Sequence, residues 1–181
     1  MKVKTPSAKV PVGGDTLQLE RLIRRLTDRV PGYPYDLALA ARLSGQLEKR
    51  TAEAANAVLR PLDLTYVLYQ SMMIIYGGEQ GSIAPGEIAQ LTGERPNNVT
   101  HICNELEERQ LITRTPESED RRRVKVALTT AGRRLLEKAQ PLIWATWRQR
   151  FNGFSAAELK LMPMLLRRQI ENIDRADVTN P

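Results

Sequence analysis

Between Arg95 and Leu128 the apolar spacing of the chain changes period, and this change restricts the fold more than any other feature of the 181 residues. Over 95–109 (RPNNVTHICNELEER), Val99, Ile102, Cys103 and Leu106 recur at i, i+3, i+4 and i+7, which predicts a helix with a polar first turn. The period then drops to two. Leu111 to Thr115 and Val124 to Leu128 each read as a strand, joined by the polar loop PESEDRRR. Upstream, a short helix is predicted from about Pro85 to Leu91, with proline in its first turn and Gly93 beyond its end. A pair of short helices followed by a two-stranded hairpin is the winged helix-turn-helix pattern.

Helices flank that unit on both sides. Residues 1–14 contain two prolines, two glycines and three lysines without apolar periodicity, and read as a disordered basic arm. From Asp15, the residues Leu19, Leu22, Ile23, Leu26 and Val30 keep helical spacing until PGYPY (31–35) breaks it. A second helix is predicted over about 36–59. Leu37, Ala40, Ala41, Ser44, Leu47, Ala54, Ala55 and Val58 lie along one side, a buried stripe of small residues suited to close helix–helix approach, and Pro61 ends it. Thr65 to Tyr76 is apolar nearly all round and belongs in a core, with Gly77-Gly78 expected to supply a left-handed C-cap. Thr129 or Thr130 caps a helix to about Phe151, with a kink expected at Pro141. Ser155 to Glu158 is a capping box for a last helix with Leu159, Met162, Leu166, Gln169 and Ile173 on one face and a bend at Pro163.

Composition narrows the chemistry. One cysteine cannot form an internal disulfide, and one histidine cannot anchor a histidine-rich metal site or a Cys/His zinc finger. A Ser-His-Asp or Cys-His catalytic set would have to use His101, and there is no glycine-rich cofactor loop, so neither an enzyme, a metal nor a cofactor is expected. No apolar run is longer than Met72 to Tyr76, which excludes a membrane helix, and the basic N-terminus lacks an apolar signal core, which points to the cytoplasm. The net charge is +6, and residues 109–125 hold six cations against three anions, with Arg121, Arg122 and Arg123 consecutive. That local excess points to an anionic polymer as partner. Residues 81–108, in contrast, hold one cation and five anions.

The stretch LEERQLITRTPESEDRRRVKVALTTAGRRLL (Leu106 to Leu136) resembles the MarR family of bacterial transcriptional regulators. Asp120 and Arg122 fall on the family's Asp-x-Arg at the wing tip, and Leu128, Thr129 and Gly132 on its Leu-Thr-x-x-Gly. EIAQLTGERPNNVTHICNEL fits the family's helix-turn-helix, and the element order is similar from about Tyr35 to Ile173. The length and N-terminal segment look most like the branch that represses multidrug-efflux operons. Two positions depart from the pattern. Gln110 stands where members commonly have glycine, so it must take a positive φ or end the helix differently. His101 stands where members commonly have an arginine that often contacts DNA, which leaves the base preference open.

The predicted recognition helix places Asn97, Asn98, Thr100 and His101 in its first turns, where such a helix meets base edges. Asparagine can pair bidentately with adenine, threonine can touch a thymine methyl, and histidine can donate to guanine or phosphate. Glu105, Glu107 and Glu108 occupy the other end, away from the phosphates, so affinity falls chiefly to Arg95, Lys125, the wing arginines and the helix dipole. The resemblance implies that Arg122 enters the minor groove braced by Asp120, while Arg121 and Arg123 alternate toward the backbone.

Cys103 shares the apolar stripe and has acidic neighbours, which favours a buried, unreactive thiol over a redox switch. Tyr66, Tyr69 and Met73, with Trp144 and Trp147, are candidates for an aromatic-ligand pocket, although such spacing also suits plain core. The expected fold is mainly α: a winged helix-turn-helix with a two-stranded β-wing, plus long N- and C-terminal dimerisation helices. Its parts are the arm (1–14), N-terminal dimerisation helices (15–60), the DNA-binding domain (61–128) and C-terminal dimerisation helices (129–181). The expected function is a homodimeric regulator of double-stranded, pseudo-palindromic DNA, a repressor released by a small aromatic or lipophilic effector. The competing readings are a redox-switched regulator acting through Cys103 and a winged-helix protein-assembly module without DNA binding.

Overall fold

The computed structural model describes residues 14–116 and 124–179. The basic arm before Gly14, and the wing tip with Asp120, Arg121, Arg122 and Arg123, lie outside the described residues. The chain divides into two compact units, 1–57 and 58–181.

The first unit holds α1 (Gly14–Arg29) and most of α2 (Tyr35–Leu59). Gly32, at φ 75°, turns the chain between them, a backbone conformation that glycine adopts without a Cβ penalty. Polar side chains join the two helices: the Tyr35 hydroxyl donates to Glu20 Oε1 at 3.1 Å, and Arg50 pairs with Asp15 at 3.1 Å. The small-residue stripe departs from expectation. Leu37 is 72 % exposed, and Ala40, Ala41, Ser44, Leu47 and Ala54 are not buried either, whereas Ala55 is. Periodicity decides which residues share a face; it does not decide whether the same chain has a surface to cover them.

The second unit is built on α3 (Tyr66–Gly77), whose Leu68, Met72 and Ile75 are buried. Thr65 caps it, its Oγ1 accepting from the Leu68 amide at 3.3 Å. The end differs from expectation: Gly78 is extended (φ −62°, ψ 159°), not left-handed. A Cβ on Gly78 would strike the Ser82 carbonyl, so glycine serves close approach there. After a 3-10 turn come β1 (Ser82–Ile83), α4 (Pro85–Thr92), α5 (Pro96–Glu108), β2 (Ile112–Pro116) and β3 (Val124–Leu128). The sheet is antiparallel in the order β1-β3-β2, with Ile83 opposite Val126 and Ile112 opposite Leu128. The expected hairpin thus gains a third strand. Two residues are too few to register as a period, so β1 left no signal in the sequence.

Helices α6 (Thr130–Arg150) and α7 (Ala156–Thr179) follow, each continuous through its proline, Pro141 and Pro163. The capping box forms as spaced: the Ser155 amide and hydroxyl each donate to Glu158 Oε2 at 2.7 Å. These bonds hold the Glu158 carboxyl below the usual carboxylate range. Most of α7's apolar side chains are exposed, including Leu159, Leu166, Ile170 and Ile173.

Candidate nucleic-acid interface

The pair α4–α5 forms the helix-turn-helix. Pro85 opens α4, where the Ala84 amide donates to Glu87 Oε2 at 3.0 Å, and Gly93 at φ 73° makes the turn. Arg95 is the N-cap of α5 and Pro96 its first residue, whose missing amide proton costs no helical bond. The apolar stripe is buried as spaced: Val99, Cys103 and Leu106 are almost fully enclosed and Ile102 nearly so. The opposite face is exposed and carries Arg95, Asn97, Asn98, Thr100 and His101. Five polar side chains therefore stand at the positive end of a packed helix, able to donate to or accept from base edges and phosphates.

Two of them are already engaged. Thr100 Oγ1 donates to the Pro96 carbonyl at 3.0 Å, which leaves its methyl group for apolar contact. Asn98 Nδ2 donates to Glu94 Oε2 at 2.6 Å. Glu94 has no place among the sequence-based candidates, although its i, i+4 spacing to Asn98 was a readable signal.

The far end of α5 is locked to the wing. Gln110 takes φ 57°, the first of the two options open to it. Its amide donates to the Glu107 carbonyl at 2.8 Å and that of Leu111 to the Leu106 carbonyl at 2.8 Å, the two bonds of a Schellman motif. Thr129 then ties the next helix to this turn: its Oγ1 donates to the Gln110 carbonyl at 2.8 Å and accepts from the Gly132 amide at 3.0 Å. This is the physical content of Leu-Thr-x-x-Gly: Leu128 is buried, Thr129 caps α6, and Gly132 lets α6 meet the Leu111 carbonyl.

The acidic half of α5 is partly paired. Glu105 meets Arg109 at 3.2 Å, and Glu107 meets Arg114 of β2 at 3.4 Å. Arg114 also donates to Asn104 Oδ1, so one guanidinium joins the recognition helix to the wing strand. Sequence reasoning missed this tether, because strand alternation gives a side chain's face without its partner. Lys125 is half-buried on β3 opposite Thr115, beside a cleft that Glu79 and Glu87 also line.

Cys103 is buried, and burial pushes its thiol pKa up, with Glu107 adding and Arg114 opposing. A raised thiol pKa means less thiolate at neutral pH. Native protein should therefore react with a thiol reagent at least about tenfold more slowly than urea-unfolded protein at the same pH. Equal rates would put the thiol within reach of oxidants.

The pocket candidates divide. Tyr69 is buried, its hydroxyl without a hydrogen-bond partner among the described residues, and burial with neighbouring Tyr66 raises its pKa. Met73, half-buried on α3, accepts from Gln140 of α6 through sulfur at 3.6 Å. Tyr66 is half-buried, whereas Trp144 and Trp147 on α6 are exposed.

The chain is similar to known proteins in sequence and in fold. The family model described as "MarR family" matches residues 64–124. The HTH-type transcriptional regulator PapX of Escherichia coli is 30 % identical over 114 residues, covering 63 % of this chain and 70 % of PapX. The transcriptional repressor MprA of E. coli K12 is 24 % identical over 159 residues, 88 % of this chain and 90 % of MprA. In fold, the chain is similar to a mutant of E. coli MarR complexed with operator DNA, with TM-score 0.66 at 22 % identity over 79 % of this chain and 96 % of that one.

Proposed function

This chain belongs to the MarR family, and on that premise we propose that it is a homodimeric repressor released from its operator by a small aromatic or lipophilic ligand. It is a DNA-binding transcriptional regulator, as its relatives are. The observation that carries the reading is the exposed polar start of α5, a helix whose far end is tied down by its Schellman turn, the Thr129 bond to Gln110 and the Arg114 link to the wing strand.

In this reading, 15–60 and 129–181 dimerise, 61–128 bind DNA, and the 1–14 arm adds charge. Exposed Leu37, Leu47, Leu166 and Ile173 support the dimer, since apolar faces on separate helices call for a cover. Two-fold symmetry then sets two α5 helices in successive major grooves, with Arg95, Asn97, Asn98, Thr100 and His101 at base edges and phosphates. Lys125 and the wing arginines hold the backbone and minor groove, and Asp120 braces Arg122. The orphaned Tyr69 hydroxyl supports an effector site near Tyr66, Met73 and Trp144, because a ligand carboxylate or phenol oxygen would satisfy it. No helix among the described residues is long and apolar enough to cross a membrane. The reading places the protein in the cytoplasm and gives it no catalytic role.

The test is one titration series. A duplex retained from a random library should bind with strong salt dependence, which a protein-assembly module would lack. Aromatic weak acids that quench tryptophan emission should weaken that binding, and by linkage the duplex should weaken theirs by the same factor, about 5–150-fold. Salt-insensitive or absent duplex binding overturns the reading. Binders whose affinity ignores the duplex overturn the effector part alone.

A further inference from the structure

The base-reading end of α5 contains a feature that the DNA-binding reading does not use. Glu94 is half-buried just before the N-cap, and its backbone amide donates to Thr92 Oγ1 at 3.2 Å. That hydroxyl in turn donates to the Ile88 carbonyl at 2.7 Å, so the segment carrying Glu94 is anchored to the end of α4. From this anchored position the carboxylate accepts from Asn98 Nδ2 at 2.6 Å, a short charge-assisted bond to an otherwise exposed side chain.

The bond restricts what Asn98 can offer a base pair. A primary amide has two N–H donors and one carbonyl acceptor. With one hydrogen held by Glu94, Asn98 presents one donor beside one acceptor in a fixed orientation. That order matches the major-groove edge of adenine, which offers N6–H as donor and N7 as acceptor. It does not match guanine, whose O6 and N7 are both acceptors, and the Glu94 carboxylate beside it would repel them further. Without Glu94, an exposed asparagine would sample several rotamers and could turn its amide nitrogen toward guanine.

We propose that Glu94 is a specificity-determining residue, which positions the Asn98 amide so that the recognition helix selects adenine and rejects guanine at the base it meets. Glu94 acts through Asn98, at some cost in general affinity, since a carboxylate near the phosphates opposes non-specific binding. The inference rests on the reading of α5 as the recognition helix.

The full-length protein and the duplex it retains from a random library provide the test. Each base pair of that duplex is replaced in turn, and affinities are measured for wild type, Glu94→Ala, Glu94→Gln, Asn98→Ala and the double variant Glu94→Ala with Asn98→Ala. Thermal unfolding of each variant separates misfolding from altered recognition. Glu94→Ala should lower the adenine preference at one position by about tenfold, the scale of one base contact, and bind random duplex more tightly. Glu94→Gln keeps an acceptor for Asn98, so it should retain the adenine preference while also binding random duplex more tightly. On the Asn98→Ala background, Glu94→Ala should leave base preference unchanged. An unaltered preference in Glu94→Ala, or an equal change without Asn98, overturns the inference. If Asn98→Ala itself alters no preference, the reading of α5 at that position fails first.

Discussion

Gly132→Ala should destabilise the fold by about 1–3 kcal/mol, although the same exchange in an open helix normally stabilises it by up to about 1 kcal/mol. A Cβ on Gly132 would sit inside contact distance of the Leu111 carbonyl, and that atom cannot easily retreat. The Leu111 oxygen already accepts from the Thr129 amide at 3.0 Å, and the Leu111 amide closes the Schellman turn of α5. Displacement would pass to both the recognition helix and the wing, so duplex binding should fall with stability. In thermal unfolding, about 1–3 kcal/mol lowers the midpoint by roughly 2–12 °C for a chain of this length. Gly86→Ala is the control. Gly86 lies in α4, and a methyl group added there would have nothing within 4 Å, so its substitution should hold or raise the midpoint. Equal behaviour of the two variants would show that α6 does not depend on its approach to Leu111.

Leu166→Glu combined with Ile173→Glu should cost still more function with less damage to the winged unit. The two residues lie at i and i+7 on α7 with Ile170 between them. Leu166 is 46 % exposed, Ile170 60 % and Ile173 62 %. Charging the outer pair removes little buried area within the chain. If α7 dimerises as proposed, the variant should sediment as a monomer and hold one half-site at a time. Losing the second, effectively intramolecular contact lowers duplex affinity by about 10²–10⁴-fold. A dimer with unchanged affinity would move the interface off this face.

Much of this architecture was legible because it is short-range. Val99, Ile102, Cys103 and Leu106 are buried as their spacing implies, Thr129 caps α6, and Ser155 pairs with Glu158. Each feature is settled within about one helical turn, where i, i+3 and i+4 positions meet by geometry. The polar face of α5 is the complement of its apolar stripe and was legible for the same reason.

Local signals in the chain account for the helices, the two longer strands, most caps and the sides of the helices that must be apolar. Folding settled what those signals left open: Ser82 and Ile83 join the sheet, Gly78 is extended, Gln110 is left-handed, and Arg114 reaches Asn104 and Glu107. It also decided that, among the described residues, most of the small-residue side of α2 stays exposed, Ala55 excepted. The difference is one of range. A residue's neighbours along a helix follow from a fixed rise and turn, whereas its neighbours across the fold depend on where every intervening segment has packed.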